Sequence, residues 1–186
     1  MKEENCIILD YLPTGYADRR KGESIAQALG TSFYTLLEVV PREGIDLKPG
    51  QEVYIGDGKR DEVRFIRGAI EYRSMTNAAR SMLEQTVEML VKRNEKKIVE
   101  FFNKAGMITP RMHQFQLLPG VGKKHLLDML EARSRKQFES FAEIEERVKL
   151  FPDPVKTIVR RVLRELEGDE KYYLFVQKHM KKSNMM

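Results

Sequence analysis

Tryptophan is missing from the 186 residues, cysteine occurs once and histidine three times. The lone Cys6 leaves no internal disulfide framework, and His113, His125 and His179 are too scattered to give a zinc-ligand spacing. No metal and no cofactor is expected. Long apolar runs are missing too: Cys6-Ile7-Ile8-Leu9 is typical of what the chain holds, whereas a membrane crossing takes about 20 apolar residues. A membrane span is excluded. The opening Met1-Lys2-Glu3-Glu4-Asn5 carries acid and leads into only a short apolar stretch, unlike a secretory signal. A cytoplasmic protein is expected.

What is present is enough for folding. With 41% hydrophobic residues, a chain of this length buries roughly 70% of its unfolded surface in one or two compact domains. The net charge of +5 conceals an asymmetry: residues 1–75 hold 11 Lys and Arg against 13 Asp and Glu, and residues 76–186 hold 22 against 15. The positive excess lies entirely in the later part, a balance that suits a polyanionic partner.

Residues 1–75 read as short strands and turns. Cys6 to Leu9 and Phe33 to Val40 are rich in β-formers and are followed by Pro13 and Pro41. Glu52-Val53-Tyr54-Ile55 leads into Gly56-Asp57-Gly58, a hairpin signal, with a returning strand expected over 62–73. The alternation of that strand changes phase near Gly68, which predicts a bulge. Such punctuation predicts a small barrel or curled sheet. From Thr76, a helix cap, the apolar period becomes 3.6. Further helices are expected from Asn94 to Gly106, from Thr109-Pro110 toward Leu118, after Gly122, over 138–148, and from Asp153-Pro154. Tyr172 to Val176 reads as a docking strand or helix, and the tail from Lys178 as frayed. The predicted class is therefore α+β: a small N-terminal β-barrel over 1–75, then an all-α domain over 76–186.

The stretch Leu117-Leu118-Pro119-Gly120-Val121-Gly122-Lys123-Lys124 carries the most chemistry. Two glycines one residue apart allow a sharp turn and bring bare N–H groups to the start of a helix, where the orphan donors and the positive helix end suit a phosphate. That first turn normally favours Asp or Glu, yet Lys123 and Lys124 occupy it. An external anion would account for them; a plain turn between packed helices, with Lys124 paired to Asp128, is the other reading. A nucleotide-hydrolysing P-loop is rejected, because Leu117 and Lys124 stand where it needs glycine and Ser or Thr.

With its flanking helices, Leu118 to Lys124 resembles a helix-hairpin-helix motif, a non-sequence-specific nucleic-acid-binding element of repair and recombination proteins, here at about 110–135. Through Leu36-Leu37-Glu38-Val39, Glu52 to Gly56, Phe101-Phe102-Asn103, Leu117 to Lys124, Phe138 to Phe141 and Asp153-Pro154, nearly the whole chain is similar to an uncharacterised, largely archaeal family of predicted nucleic-acid-binding proteins. The resemblance implies an N-terminal barrel of the oligonucleotide-binding type and a helical domain containing the hairpin; it implies no reaction.

The expected function is weakly sequence-selective binding of RNA or DNA without catalysis. Pro119, Gly120, Val121, Gly122, Lys123 and Lys124 would form the phosphate site, with Arg111, Arg133, Arg135 and Lys136 as further contacts. A second surface could use Arg64, Arg67, Arg73 and Tyr72, tracking a single strand by charge and stacking, with Phe65 and Tyr54 nearby; packing of those rings inside the barrel is the plainer account. A second hairpin at Leu150 to Pro154 is disfavoured, since Asp153 would place its own carboxylate where a phosphate should sit. Two other functions compete: a protein–protein adaptor in which the hairpin only shapes the domain, and a hydrolase using Asp57, Asp61 and Glu62 with a divalent ion. Cys6 reads as core rather than nucleophile.

Overall fold

The computed structural model describes residues 2–16 and 22–177 and is of the mixed α+β class that the sequence predicts. The chain divides into two compact units, one running to Thr86 and resumed from Glu165, the other spanning Val87–Arg164. The boundaries fall within helices rather than at the change from strands to helices near residue 75. They also sharpen the charge asymmetry: residues 87–164 hold 17 Lys and Arg against 10 Asp and Glu, and the remainder holds 16 against 18.

In the first unit, β1 (Asn5–Leu12), β2 (Ile25–Gly30), β3 (Leu36–Pro41), β4 (Glu52–Tyr54) and β5 (Val63–Ala69) form one antiparallel sheet in the order β4-β1-β2-β3-β5. It curls into a half-barrel around Cys6, Ile8, Ala26, Ala28, Leu37, Val39, Val53, Ile55 and Val63. Register shifts leave Leu9 unpaired in β1, and Arg64 and Arg67 unpaired in β5. A bulge next to Gly68 (φ 153°) is the predicted one, and such extra residues increase local twist.

Several local expectations are corrected. Gly56-Asp57-Gly58 does not close a hairpin, because β4 pairs with β1 and β5 with β3. The loop folds on itself instead: Gly58 N–H donates to the Tyr54 hydroxyl at 3.0 Å and Arg60 Nε to the Gly56 carbonyl at 2.8 Å. Strand β3 begins later than expected and includes Pro41, while the run over 62–73 ends at Ala69 and passes into a short 3-10 turn at Tyr72–Ser74. Strand β2 went unanticipated since its Ala and Gln residues are poor β-formers; both of its faces are buried, as are both faces of β3. Beyond β5, α1 (Asn77–Arg93) starts at Thr76 as predicted, with Thr76 Oγ1 accepting from Ala79 N–H at 3.0 Å.

A row of polar residues crosses the sheet through the paired positions Asp10, Gln27 and Glu38. The fully buried Gln27 donates to the Tyr16 hydroxyl at 2.7 Å and accepts from Thr76 N–H at 2.8 Å, and Tyr16 donates to Glu38. These bonds meet the needs of an amide taken out of water. At the other end of the unit, Tyr172 to Val176 is neither strand nor helix. Its Leu174, Phe175 and Val176 amides donate to the buried Glu165 carboxylate at 2.7–2.9 Å, and Gln177 N–H donates to Phe33. The tail from Lys178, with His179, lies outside the described residues.

The second unit contains α2 (Glu95–Lys104), a small hairpin of β6 (Met107–Thr109) and β7 (Met112–His113), a 3-10 turn at Gln114–Leu117, then α3 (Lys123–Arg135), α4 (Phe141–Arg147) and the start of α5 (Pro154–Glu167). Helices after Asn94, Gly122 and Asp153 stand where the periodicity places them. The helix expected from Thr109-Pro110 does not form: those residues turn the β6–β7 hairpin, and the helical turn starts later, capped by His113, whose Nδ1 accepts from Phe115 N–H at 3.1 Å while Gln116 returns the bond to His113 N–H at 2.7 Å. The expected 138–148 helix is shortened to α4 because Ser140, accepting from Glu143 N–H at 3.1 Å, is a cap. Phe102 and Phe115, 5.8 Å apart, lie at the centre of this core, with Phe151 6.0 Å from Phe102.

Candidate nucleic-acid interface

The glycine bend lies between two restraints. Leu118 N–H donates to Phe115 and Val121 N–H to Leu118, at 3.0 and 3.1 Å, so the chain leaves the 3-10 turn through tight reversals. Gly120 has φ 81°, a conformation that costs other residues about 1–2 kcal/mol. A Cβ there would stand 3.1 Å from Pro152 Cγ, so Gly120 also admits a close neighbour. Gly122 is the N-cap of α3 in extended conformation, and a Cβ added there would meet nothing within 4 Å.

Among the described residues, the amides of Gly120, Gly122, Lys123 and Lys124 donate to no protein acceptor; the intrahelical series of α3 begins with Leu126 N–H to Gly122 at 3.0 Å. Gly120, Gly122, Lys123 and Lys124 are exposed, Pro119 is half-buried and Val121 is buried. The alternative pairing of Lys124 with Asp128 is not made, and Lys123 and Lys124 carry no ion pair among the described residues. The positive helix end, free donors and two cations thus occupy one exposed turn.

The expected additional contacts differ in availability. Arg111 is exposed at the tip of the β6–β7 hairpin, its amide donating to Thr109 Oγ1. Arg133 is committed elsewhere: its Nη1 donates to the carbonyls of Phe102, Asn103 and Ala105 at 2.7–3.3 Å, closing the end of α2, and its guanidinium lies 5.4 Å from the Phe115 ring centre. Burial lowers its pKa. Arg135 pairs with Glu131, and Lys136 with Glu139 and Glu143 at 3.0 and 3.5 Å. The Glu139 bond leads the effects that raise the Lys136 pKa. Both remain exposed but are partly neutralised.

Sequence reasoning missed three supports of the bend. His125 Nδ1 lies 3.1 Å from the Gly120 carbonyl. Pro152 packs against Gly120, and the neighbouring Phe151 ring sits 6.1 Å from the His125 ring. Arg161, only 1% exposed, donates to the Leu117 carbonyl at 3.1 Å. The four-residue spacing of the buried Thr157, Arg161 and Glu165 was the available signal for a polar stripe on α5. Asp153 caps that helix, accepting from Lys156 N–H at 2.9 Å, which is the self-filled helix start expected there.

The second surface is less open. Arg64 lies 3.7 Å from Glu23 and 5.4 Å from the Phe65 ring centre; Arg67 is 3.9 Å from Glu38; Arg73 pairs with Glu71. Arg80 already covers the Tyr72 ring at 5.3 Å. Tyr54 is on β4, which does not pair with β5. Asp57 pairs with Lys2 at 3.0 Å and Asp61 with Lys59 at 3.5 Å; no group of three potential metal ligands occurs among the described residues. Cys6 is core, as expected, and burial first, then Glu3 and Glu52, push its thiol up to about 12. No helix among the described residues is long and apolar enough to cross a membrane.

Comparison with known proteins places this architecture. Residues 2–177 match the family model described as a protein of unknown function, DUF655. The chain is 42% identical over 172 residues to the uncharacterized protein MJ0038 of Methanocaldococcus jannaschii, covering 91% of this chain and 78% of that one. It is also similar to the crystal structure of Af1531 from Archaeoglobus fulgidus, of the same family, with a TM-score of 0.85 and 41% identity, covering 94% of this chain and all of the other.

Proposed function

The chain belongs to the DUF655 family, whose description leaves the activity open, so we infer its function from the site: non-sequence-specific binding of RNA or DNA through backbone phosphates. The hairpin acts as a helix-hairpin-helix element, and the half-barrel is a relative of the oligonucleotide-binding fold. One observation carries this reading. The exposed amides at Gly122, Lys123 and Lys124 have no protein acceptor among the described residues, and the two lysines beside them stand against the helix dipole without a carboxylate. A phosphate oxygen supplies both missing partners. Since every nucleotide offers the same phosphate, the contact positions a strand without reading its bases. The role is binding, with no chemistry assigned to the protein. With β2 and β3 buried on both faces, the half-barrel serves chiefly as scaffold.

Binding to generic duplex DNA and to structured RNA should weaken steeply with salt. Lys123→Ala/Lys124→Ala should flatten the slope of log K against log salt by about 1 to 2. An unchanged slope and affinity in that variant would refute the phosphate site.

A further inference from the structure

The turn after α4 contains a leucine in a costly position. Phe151 N–H donates to the Val148 carbonyl at 3.1 Å, making residues 148–151 a reverse turn whose third residue, Leu150, has φ 61°. That place in a turn favours Gly or Asn, and a leucine gains nothing there unless its side chain is used. Yet Leu150 is 82% exposed, the most exposed of the four large apolar side chains that face water among the described residues. Backbone strain held at an exposed apolar residue points from structure toward a role in contact.

Its location identifies the contact. The two residues that follow fasten the turn to the hairpin: Phe151 packs its ring 6.1 Å from that of His125, and Pro152 lies against Gly120. Leu150 is two residues from Pro152, so its backbone lies within about 7 Å of that proline. Leu150 is thus tied through Pro152 to the bend that opens onto the Gly122–Lys124 turn, which makes the sugars and bases flanking a phosphate held there its nearest contact in this reading. Lys149, exposed and without an ion pair among the described residues, supplies charge beside it.

We propose that Leu150 is a nucleic-acid contact residue, which buries its side chain against the sugar and base edge of the strand held at the hairpin, in the manner of apolar wedges beside phosphate contacts. The proposal rests on the phosphate reading above. Its test is Leu150→Asn, with Leu150→Gly as a second variant, measured for thermal unfolding and for binding to a generic 20-base-pair DNA duplex and an RNA duplex of matching length. Both replacements suit a positive φ, so Tm should rise by roughly 2–4 °C. Affinity for at least one duplex should fall roughly tenfold as a buried leucine is lost, with the salt slope unchanged because no charge is removed. Wild-type affinity in both variants, or a slope that falls along with affinity, would overturn the proposal. A fall in Tm in both would refute the strain that prompted it. If Lys123→Ala/Lys124→Ala weakens binding while the Leu150 variants bind as wild type, only this inference fails; if the lysine variant itself binds as wild type, the phosphate reading fails first.

Discussion

His113 shows how one side chain can serve several parts of a core. Its Nδ1 caps the 3-10 turn before the hairpin, its ring lies 4.8 Å from that of Phe115, and its second nitrogen faces the Ala105 carbonyl. Burial first, then the Arg133 charge, lower its pKa from 6.5. The folded state therefore resists protonation more than the unfolded chain does. Stability from this residue is fully present above pH 6.5 and is lost as pH falls through that value toward the depressed one. In His113→Asn, the amide oxygen keeps the cap, but the packing of the ring on Phe115 goes. Urea unfolding should show a loss of about 1–2 kcal/mol at pH 7 and a shallower decline from pH 7 to pH 5 than wild type; an equally steep decline would mean that another group titrates there. His113 was visible in the sequence only as an isolated histidine, because its role depends on Ala105 and Arg133, eight and twenty residues away.

Among the elements, the glycine bend was the most legible. Two glycines, a proline and the following apolar period were enough to place α3 after Gly122, since they act through local dihedrals and caps. The element before it was misread, because Thr109-Pro110 satisfies the rules for a helix start as well as for the turn that it makes. Pairing of Met107 with His113 decided between them. Gly120→Ala tests how tightly the bend is specified. The positive φ and the approach of Pro152 together should cost about 1–3 kcal/mol in chemical denaturation, and phosphate-dependent binding should weaken under conditions where the variant remains folded. An alanine variant as stable as the parent would mean that the bend can relax away from Pro152.

For the molecule as a whole, the notable feature is the return of the chain to its first unit at Glu165. Three successive amides on one buried carboxylate hold Leu174, Phe175 and Val176 without a strand or a helix. Glu165→Ala should free those amides and lower stability by about 2–3 kcal/mol. Hydrogen exchange should then be much faster at residues 174–176 than in β2. If they stay as protected as in the parent, contacts other than the carboxylate hold the segment. The return also leaves the whole positive excess in the span from Val87 to Arg164, where the phosphate reading needs it.

Local rules were enough for the α+β class, the bulge beside Gly68, the cap at Thr76 and the glycine bend, because each depends on residues that are neighbours along the chain. Tertiary structure alone decided that β4 joins β1 instead of β5, that an Ala-rich segment becomes a central strand, and that Arg133 is spent on carbonyls while Lys123 and Lys124 remain open. Those outcomes depend on which distant groups meet and on which polar atoms must find partners once water is removed, and composition and spacing do not encode either one in advance.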